Sequence, residues 1–263
     1  MTDEKFRAIA TRNLEPAPRA QVMSYALIIP ALNEAESIGR VLAQLPRARL
    51  QEIIVVDNGS QDNTAAVARD AGARVVLETR RGYGRACQTG ISALDAGVNA
   101  VVFMDADLSD DPADIDRLLC VFEAGNFDLV LGSRSLGCAE RGSLTAVQRF
   151  GNWLTTKLIA CLWGVRFTDL GPLRVIRRDA LERIALQDEG FGWNVEMQSK
   201  AAMLRLKTGE IPVNYRRRKF GRSKISGTLA GSAQAGFKIL ATVGRCWLSG
   251  WLRNPNRMLK GSS

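Results

Sequence analysis

Five short apolar runs, each followed by a helical stretch, constrain this chain more than any other feature. The runs are Ala26-Leu27-Ile28-Ile29, Ile53-Ile54-Val55-Val56, Val75-Val76-Leu77, Val101-Val102-Phe103-Met104 and Leu129-Val130-Leu131. They are continuous rather than alternating, the pattern of strands covered on both faces. Helical segments lie between them near 35–45, 62–71, 84–96 and 112–124, with Asp62 and Pro112 near two starts and Gly72 and Gly125 near two ends. This repetition predicts an α/β fold with a doubly wound, mostly parallel sheet and helices on both faces. Ligands of such a sheet gather beyond the carboxyl ends of its strands, where Pro30, Asp57 and Asp105 all fall.

The pattern changes after Gly132-Ser133-Arg134. Residues 144–165 read as a broad amphipathic helix carrying Phe150, Trp153, Leu154, Leu158, Leu162 and Trp163, which either packs on the core or lies on a membrane surface. A strand near 173–177, a helix near 193–204 and a strand near 211–215 follow. From about 226, Leu229, Ala233, Phe237, Leu240, Val243, Trp247 and Trp251 recur at helical spacing, as in a membrane-surface helix or a partner-docking helix. The predicted organisation is an N-terminal extension (1–23), a catalytic domain (24–225) and a basic amphipathic C-terminal segment (226–263).

Charge sharpens that division. The chain has 263 residues and a net charge of +9, yet residues 205–263 hold 13 Lys/Arg against the single acid Glu210. A segment of that kind seeks an anionic partner. Aromatics are sparse around 216–224 and no nucleic-acid motif occurs, which argues against nucleic acid as that partner. Histidine is absent, so Ser-His and Cys-His machinery and imidazole metal ligands are excluded. Five widely spaced cysteines without a CxxC pair suggest neither a disulfide framework nor a zinc site, as expected of a cytoplasmic chain. An apolar leader and a run of about 18 apolar residues are both missing, so neither a secretory signal nor a membrane-spanning helix is predicted.

Asp105-Ala106-Asp107 places two carboxylates where a buried strand surfaces. Such a pair is either a solvated turn or a seat for a hard cation such as Mg²⁺ or Mn²⁺, completed by substrate phosphates. Asp57-Asn58-Gly59-Ser60 is either a strand-to-helix turn or the place of a carboxylate that bonds a nucleobase. Arg81-Gly82-Tyr83-Gly84 lacks the third glycine of a dinucleotide fingerprint, because Cys87 stands there, and it follows the third strand rather than the first. Its glycines are read as letting a loop carrying Arg81 approach a bound nucleotide closely.

Together these motifs resemble a known family. Pro30-Ala31-Leu32-Asn33-Glu34, Val56-Asp57-Asn58-Gly59-Ser60, Met104-Asp105-Ala106-Asp107-Leu108 and Gly132-Ser133-Arg134 stand in the order and spacing of family 2 glycosyltransferases with the GT-A fold. Arg218-Lys219-Phe220-Gly221-Arg222-Ser223-Lys224 resembles the R-x-x-G-x-S-K loop of the polyprenyl-phosphate sugar synthases, the dolichyl-phosphate mannosyltransferase-like branch. The resemblance implies that Pro30, Leu32 and Glu34 line the nucleotide site and that Asp57 contacts the base. It implies that Asp105, Ala106 and Asp107 form the metal–diphosphate motif and that Arg134, Arg218, Ser223 and Lys224 lie near the phosphates. Leu32 stands where that branch carries an aromatic, and Ser109 where it carries a glutamine.

The expected activity is inverting transfer of a hexose from a UDP-sugar or GDP-mannose, with Mg²⁺ or Mn²⁺, to a polyprenyl phosphate or other anionic lipid at the inner membrane face. A lipid phosphate needs no base. A hydroxyl acceptor, soluble or lipid, is the alternative and requires one. Glu196 is the candidate base, with Asp110 or Asp111 behind it, although Glu196 equally suits a structural ion pair. A nucleotide-sugar binder without catalysis is a further reading.

Overall fold

The computed structural model describes residues 23–220 and 239–249. The five predicted runs form β1 (Tyr25–Ala31), β2 (Glu52–Asp57), β3 (Arg74–Leu77), β4 (Ala100–Phe103) and β5 (Leu129–Ala139). Two further strands are β6 (Arg174–Arg177) and β7 (Thr208–Tyr215). The helices are α1 (Ala35–Ala43), α2 (Thr64–Asp70), α3 (Tyr83–Ser92), α4 (Asp114–Ala124), α5 (Ala146–Trp163), α6 (Arg178–Ile184) and α7 (Trp193–Met203).

One seven-stranded sheet results, in the order β3-β2-β1-β4-β6-β5-β7. β1 pairs in parallel with β2 and β4, and β2 with β3. β6 is antiparallel to both β4 and β5, while β7 returns parallel to β5. The sheet is therefore mixed, with a parallel half made of β1 to β4. Both faces are covered, as continuous apolar runs require. Leu27 and Ile29 of β1 pack with Ile38, Leu42, Ile115 and Phe122 from α1 and α4. Ala26 and Ile28 face the opposite layer, with Ala86, Ile159, Trp163, Leu181 and Trp193 from α3, α5, α6 and α7.

One strand runs past the point where the sequence pattern changes. Gly132-Ser133-Arg134 lies inside β5, which continues to Ala139 because β7 supplies partners as far as Tyr215. The helix expected over 144–165 spans 146–163, opened by a capping box between Thr145 and Gln148 and closed by Gly164 in the left-handed region. Its Thr155, Thr156, Ile159 and Trp163 are buried, whereas Val147, Phe150 and Trp153 are exposed. Only its second half is a core helix. Helical residues 239–249 dock through Thr242, Val243 and Cys246, leaving Leu240 and Trp247 outward. Of the apolar stripe read there, Val243 packs on the core while Leu240 and Trp247 face outward. Leu229, Ala233, Phe237 and Trp251 lie outside the described residues.

Candidate active site

Strand ends place the acids. Beyond β1 the chain turns through Asn33, at φ 52°, and enters α1 with Glu34 buried. The Glu34 carboxylate accepts from the Ser37 hydroxyl at 2.9 Å and pairs with Nη1 of Arg218 at 3.2 Å. At the end of β2, Asp57 is buried and accepts the Ser60 N–H at 2.9 Å, closing the turn 57–60. Asn58 holds the next loop: its amide donates to the carbonyls of Glu78 and Arg80, and its oxygen accepts the Gly82 N–H at 2.8 Å. Pro30 and Leu32 are half-buried along the same edge.

Asp105, Ala106 and Asp107 follow β4 in a bend rather than in extended strand. Asp107 accepts the Ser109 N–H at 2.9 Å, and the intervening Leu108 sits at φ 63°. Such a conformation costs a leucine about 1–2 kcal/mol, and strain of this kind collects at functional sites. The other oxygen of Asp107 accepts Nε and Nη2 of Arg218 at 2.9 and 2.6 Å. Asp105 accepts the Tyr83 hydroxyl at 3.1 Å. Burial, then the charge of Asp107, pushes the Asp105 carboxyl up to about 7. Burial and the Asp105 carboxylate raise the Tyr83 phenol well above its ordinary value, so it stays a donor.

Arg134 is fixed from β5. Its Nε and Nη2 grip both oxygens of the buried Asp169 at 2.7 Å, and its own N–H adds a third bond at 2.7 Å. Its guanidinium also lies 4.9 Å from the centre of the Tyr215 ring. Burial lowers the arginine's pKa, but the Asp169 bonds and charge outweigh it and hold Arg134 protonated. Between Arg134 and the acid pair lies Asp110, buried, with no ordinary hydrogen-bond partner on either carboxyl oxygen. Burial, then the charges of Asp105 and Asp107, drives its pKa well upward. Arg174, fully buried on β6, donates to the carbonyls of Leu170, Gly171, Pro172 and Asn194, and burial pulls its pKa down to about 10.

These donors suit a hard divalent cation. Two carboxylates repel each other, a third is buried beside them, and a guanidinium already stands on Asp107 in the role of a cation. No cluster of three or more His, Cys, Asp or Glu side chains forms a ready-made metal cage among the described residues. The remaining ligands must come from the substrate, as is usual for Mg²⁺.

The structure brings together Glu34, Asp105, Asp107 and Arg218, with Arg134 beside them. It does not bring Glu196 into that group, and Arg81 is exposed on the loop before α3. Ser223 and Lys224 lie outside the described residues. The sequence reading missed Tyr83, Asp169 and Asn58, whose roles depend on partners 20 to 35 residues away. The glycine reading is corrected too. A Cβ at Gly84 would sit 1.9 Å from the Asp188 carbonyl oxygen and one at Gly82 2.2 Å from that of Glu189. The close approach is therefore to the 188–189 backbone of the same chain.

Acids and arginines at the carboxyl edge of a doubly wound, GT-A-like sheet define a nucleotide-sugar-dependent transferase. Residues 26–185 match Glycosyl transferase family 2, and the chain belongs to that family. It is a glycosyltransferase. An uncharacterized glycosyltransferase of Mycobacterium tuberculosis is 36% identical over 206 residues, 78% of this chain and 91% of that one. An undecaprenyl-phosphate mannosyltransferase of Micrococcus luteus is 31% identical over 223 residues, 80% of this chain and 91% of its own. Among solved structures, glucosyl-3-phosphoglycerate synthase of Mycobacterium tuberculosis, in complex with Mn²⁺, UDP-glucose and phosphoglyceric acid, superposes with a TM-score of 0.67 at 23% identity, covering 85% of this chain and 80% of that one.

Two expectations are corrected by these findings. The polyprenyl/dolichyl-phosphate branch gives way, because the relatives at 36% identity carry no such assignment and the superposing structures are of the phosphoglycerate enzyme. The polyprenyl-phosphate or anionic-lipid acceptor on a membrane surface falls with it. The solved neighbour holds phosphoglyceric acid. Within the described part of the basic loop, the side chain of Arg216 pairs with Asp111 and that of Arg218 with Glu34 and Asp107, while the Arg217 backbone N–H donates to Glu140.

Proposed function

We propose that the site transfers a hexose from a UDP-sugar to a hydroxyl of a small acceptor, with Mg²⁺ or Mn²⁺ held by Asp105 and Asp107. The observation that carries this reading is the seating of Arg218 across Glu34 and Asp107, at the ends of β1 and β4. A divalent cation there would act as a Lewis acid on the departing diphosphate. Arg218, displaced from Asp107, adds fixed positive charge to the same oxygens, and Arg134, locked by Asp169, adds more. Asp57 faces the base, with Pro30, Leu32 and Glu34 lining the pocket. UDP is favoured by the donor in the superposing synthase, and a small hydroxyl acceptor by its phosphoglyceric acid.

A hydroxyl acceptor must lose a proton. Of the acids offered for this, Asp111 is paired with Arg216 and Glu196 has both oxygens engaged. Asp110 is the acid to test as base. The function is tested by calorimetry with UDP-glucose and GDP-mannose, with and without Mn²⁺, followed by transfer to 3-phosphoglycerate and other small hydroxyl acceptors. Mn²⁺-dependent binding of a UDP-sugar is the expected result. Binding indifferent to Mn²⁺ would remove Asp105 and Asp107 from the assigned role.

A further inference from the structure

Glu196 is buried one turn into α7, and its carboxylate is already in use. One oxygen accepts the N–H groups of Gln187 and Asp188 at 3.0 and 2.7 Å, and the other takes Nζ of Lys200 at 2.7 Å. Lys200 in turn donates to the Ala185 carbonyl at 2.7 Å, so the backbone at 185–188 is pinned from both sides. Asp188 continues the brace. Its carboxylate accepts the N–H groups of Gly190 and Gly192 at 2.8 and 3.1 Å and pairs with Arg245 of the helical residues 239–249 at 3.2 Å.

What this braced loop touches is the start of α3. The Glu189 carbonyl accepts the Arg85 N–H at 3.1 Å, the Glu189 and Arg85 side chains pair, and the 188–189 backbone fills the space that side chains at Gly82 and Gly84 would need. Between those glycines stands Tyr83, whose hydroxyl reaches Asp105. The loop thus fixes the first turn of α3 from one side while Asn58 fixes it at Gly82 from the other.

We infer that Glu196 is a positioning residue, which through the 187–189 backbone and Tyr83 sets the carboxylate of Asp105, and that it is not the proton acceptor. The inference rests on the proposed function in that Asp105 belongs to the cation site. Both Glu196 oxygens are held by the 187–188 backbone and by Lys200, and protonating the carboxylate would weaken those bonds and the ion pair. Orientation of ligand carboxylates by outer partners is a general requirement of metal sites.

The test is a double-mutant cycle on the full chain, read first as Mn²⁺ binding alone and then as UDP-glucose binding with Mn²⁺, both by calorimetry. Tyr83→Phe and Glu196→Ala should each weaken Mn²⁺ binding by about tenfold, the lower end for outer-shell partners. The double variant should be weaker than Glu196→Ala by no more than about threefold, because the two act in series. Glu196→Gln keeps an oxygen for the two N–H groups and should restore most of the Mn²⁺ affinity together with turnover, and the return of turnover is what a lost base could not show. Glu196→Ala with wild-type Mn²⁺ affinity but no turnover would overturn the inference, as would single effects that multiply in the double variant. If Glu196→Ala does not fold, Glu196→Gln takes its place: full Mn²⁺ affinity with turnover abolished would again restore the base. A wild type that binds Mn²⁺ but no sugar nucleotide would refute the proposed function while leaving the Mn²⁺ cycle to decide the positioning. If it binds neither, amide exchange decides, and unchanged protection at residues 83–86 in Glu196→Ala overturns the inference.

Discussion

Arg218 lies on Asp107, its Nε and Nη2 both directed at one carboxylate oxygen, with Nη1 on Glu34. The seat that a cation would take is thus held by a guanidinium contributed from 111 residues further along the chain. Removing one partner of a buried ion pair leaves the other charge costly, so Arg218 and a divalent cation are alternatives at Asp107 before they are allies at a diphosphate.

Arg218→Met is therefore expected to act in opposite directions on two ligands. Mn²⁺ alone should bind about tenfold more tightly, since its competitor is gone, while UDP-glucose with Mn²⁺ should bind about tenfold more weakly, a difference of about 1.4 kcal/mol each way. Titration of free Mn²⁺ by electron paramagnetic resonance, alongside calorimetry, separates the two. Weaker binding of both would show that Arg218 holds the site together rather than competing for it.

Asp107→Asn should abolish metal-dependent donor binding and lower turnover by a factor of about 100 or more, the scale set by loss of a cation's charge stabilisation. Steady-state transfer at saturating Mn²⁺ checks this, with circular dichroism confirming the fold.

The raised pKa of Asp105 predicts a pH effect on stability. The unfolded carboxyl ionises at its ordinary value of 3.8, whereas the folded one holds its proton to about 7. Between those values the native state binds more protons, so its stability falls as pH rises through the window and stays lowered above it. Asp105→Asn should raise the melting temperature at pH 7.5 but change it little at pH 4. Each kcal/mol recovered corresponds to about 2–4 °C for a domain of this size. Saturating Mn²⁺ should mimic the substitution in the wild type at pH 7.5, and no difference between the two pH values would show that Asp105 is not strained by its charge.

Asp169→Asn should release Arg134. Breaking a buried pair of this kind costs about 3–5 kcal/mol. Thermal melting measures that cost directly. Turnover should fall further than donor affinity, because Arg134 is assigned to the developing charge of the leaving group.

Gly84→Ala would drive a methyl into the Asp188 carbonyl. Overpacking of that sort costs about 1–3 kcal/mol, read as a lower midpoint in urea at unchanged slope. A neutral outcome would mean that the 188–189 backbone moves aside without cost.

Much of the architecture could be read before any coordinates. The five apolar runs placed β1 to β4 within a residue or two, and their unbroken character announced helices on both faces. The later strands were also legible as strands, but not how they pair. Nothing in Arg174–Arg177 says that β6 will insert antiparallel between β4 and β5, and nothing in Gly132-Ser133-Arg134 says that β7 will carry the strand on through it. Glu196 shows the same limit at the level of one side chain. Its sequence context suits a base and a structural pair equally, and only the positions of Gln187, Asp188 and Lys200 separate them.

The sequence by itself determined the order of strands and helices in the parallel half and the placing of acids at the ends of β1, β2 and β4. It also excluded histidine chemistry. Those are properties of periodicity and composition, which act within a few residues. The tertiary structure alone decided which polar groups meet: Arg218 with Asp107 and Glu34, Arg134 with Asp169, Tyr83 with Asp105, and Arg216 with Asp111. Coulombic and hydrogen-bond partners are chosen by distance in space, and that distance is set only when the sheet closes.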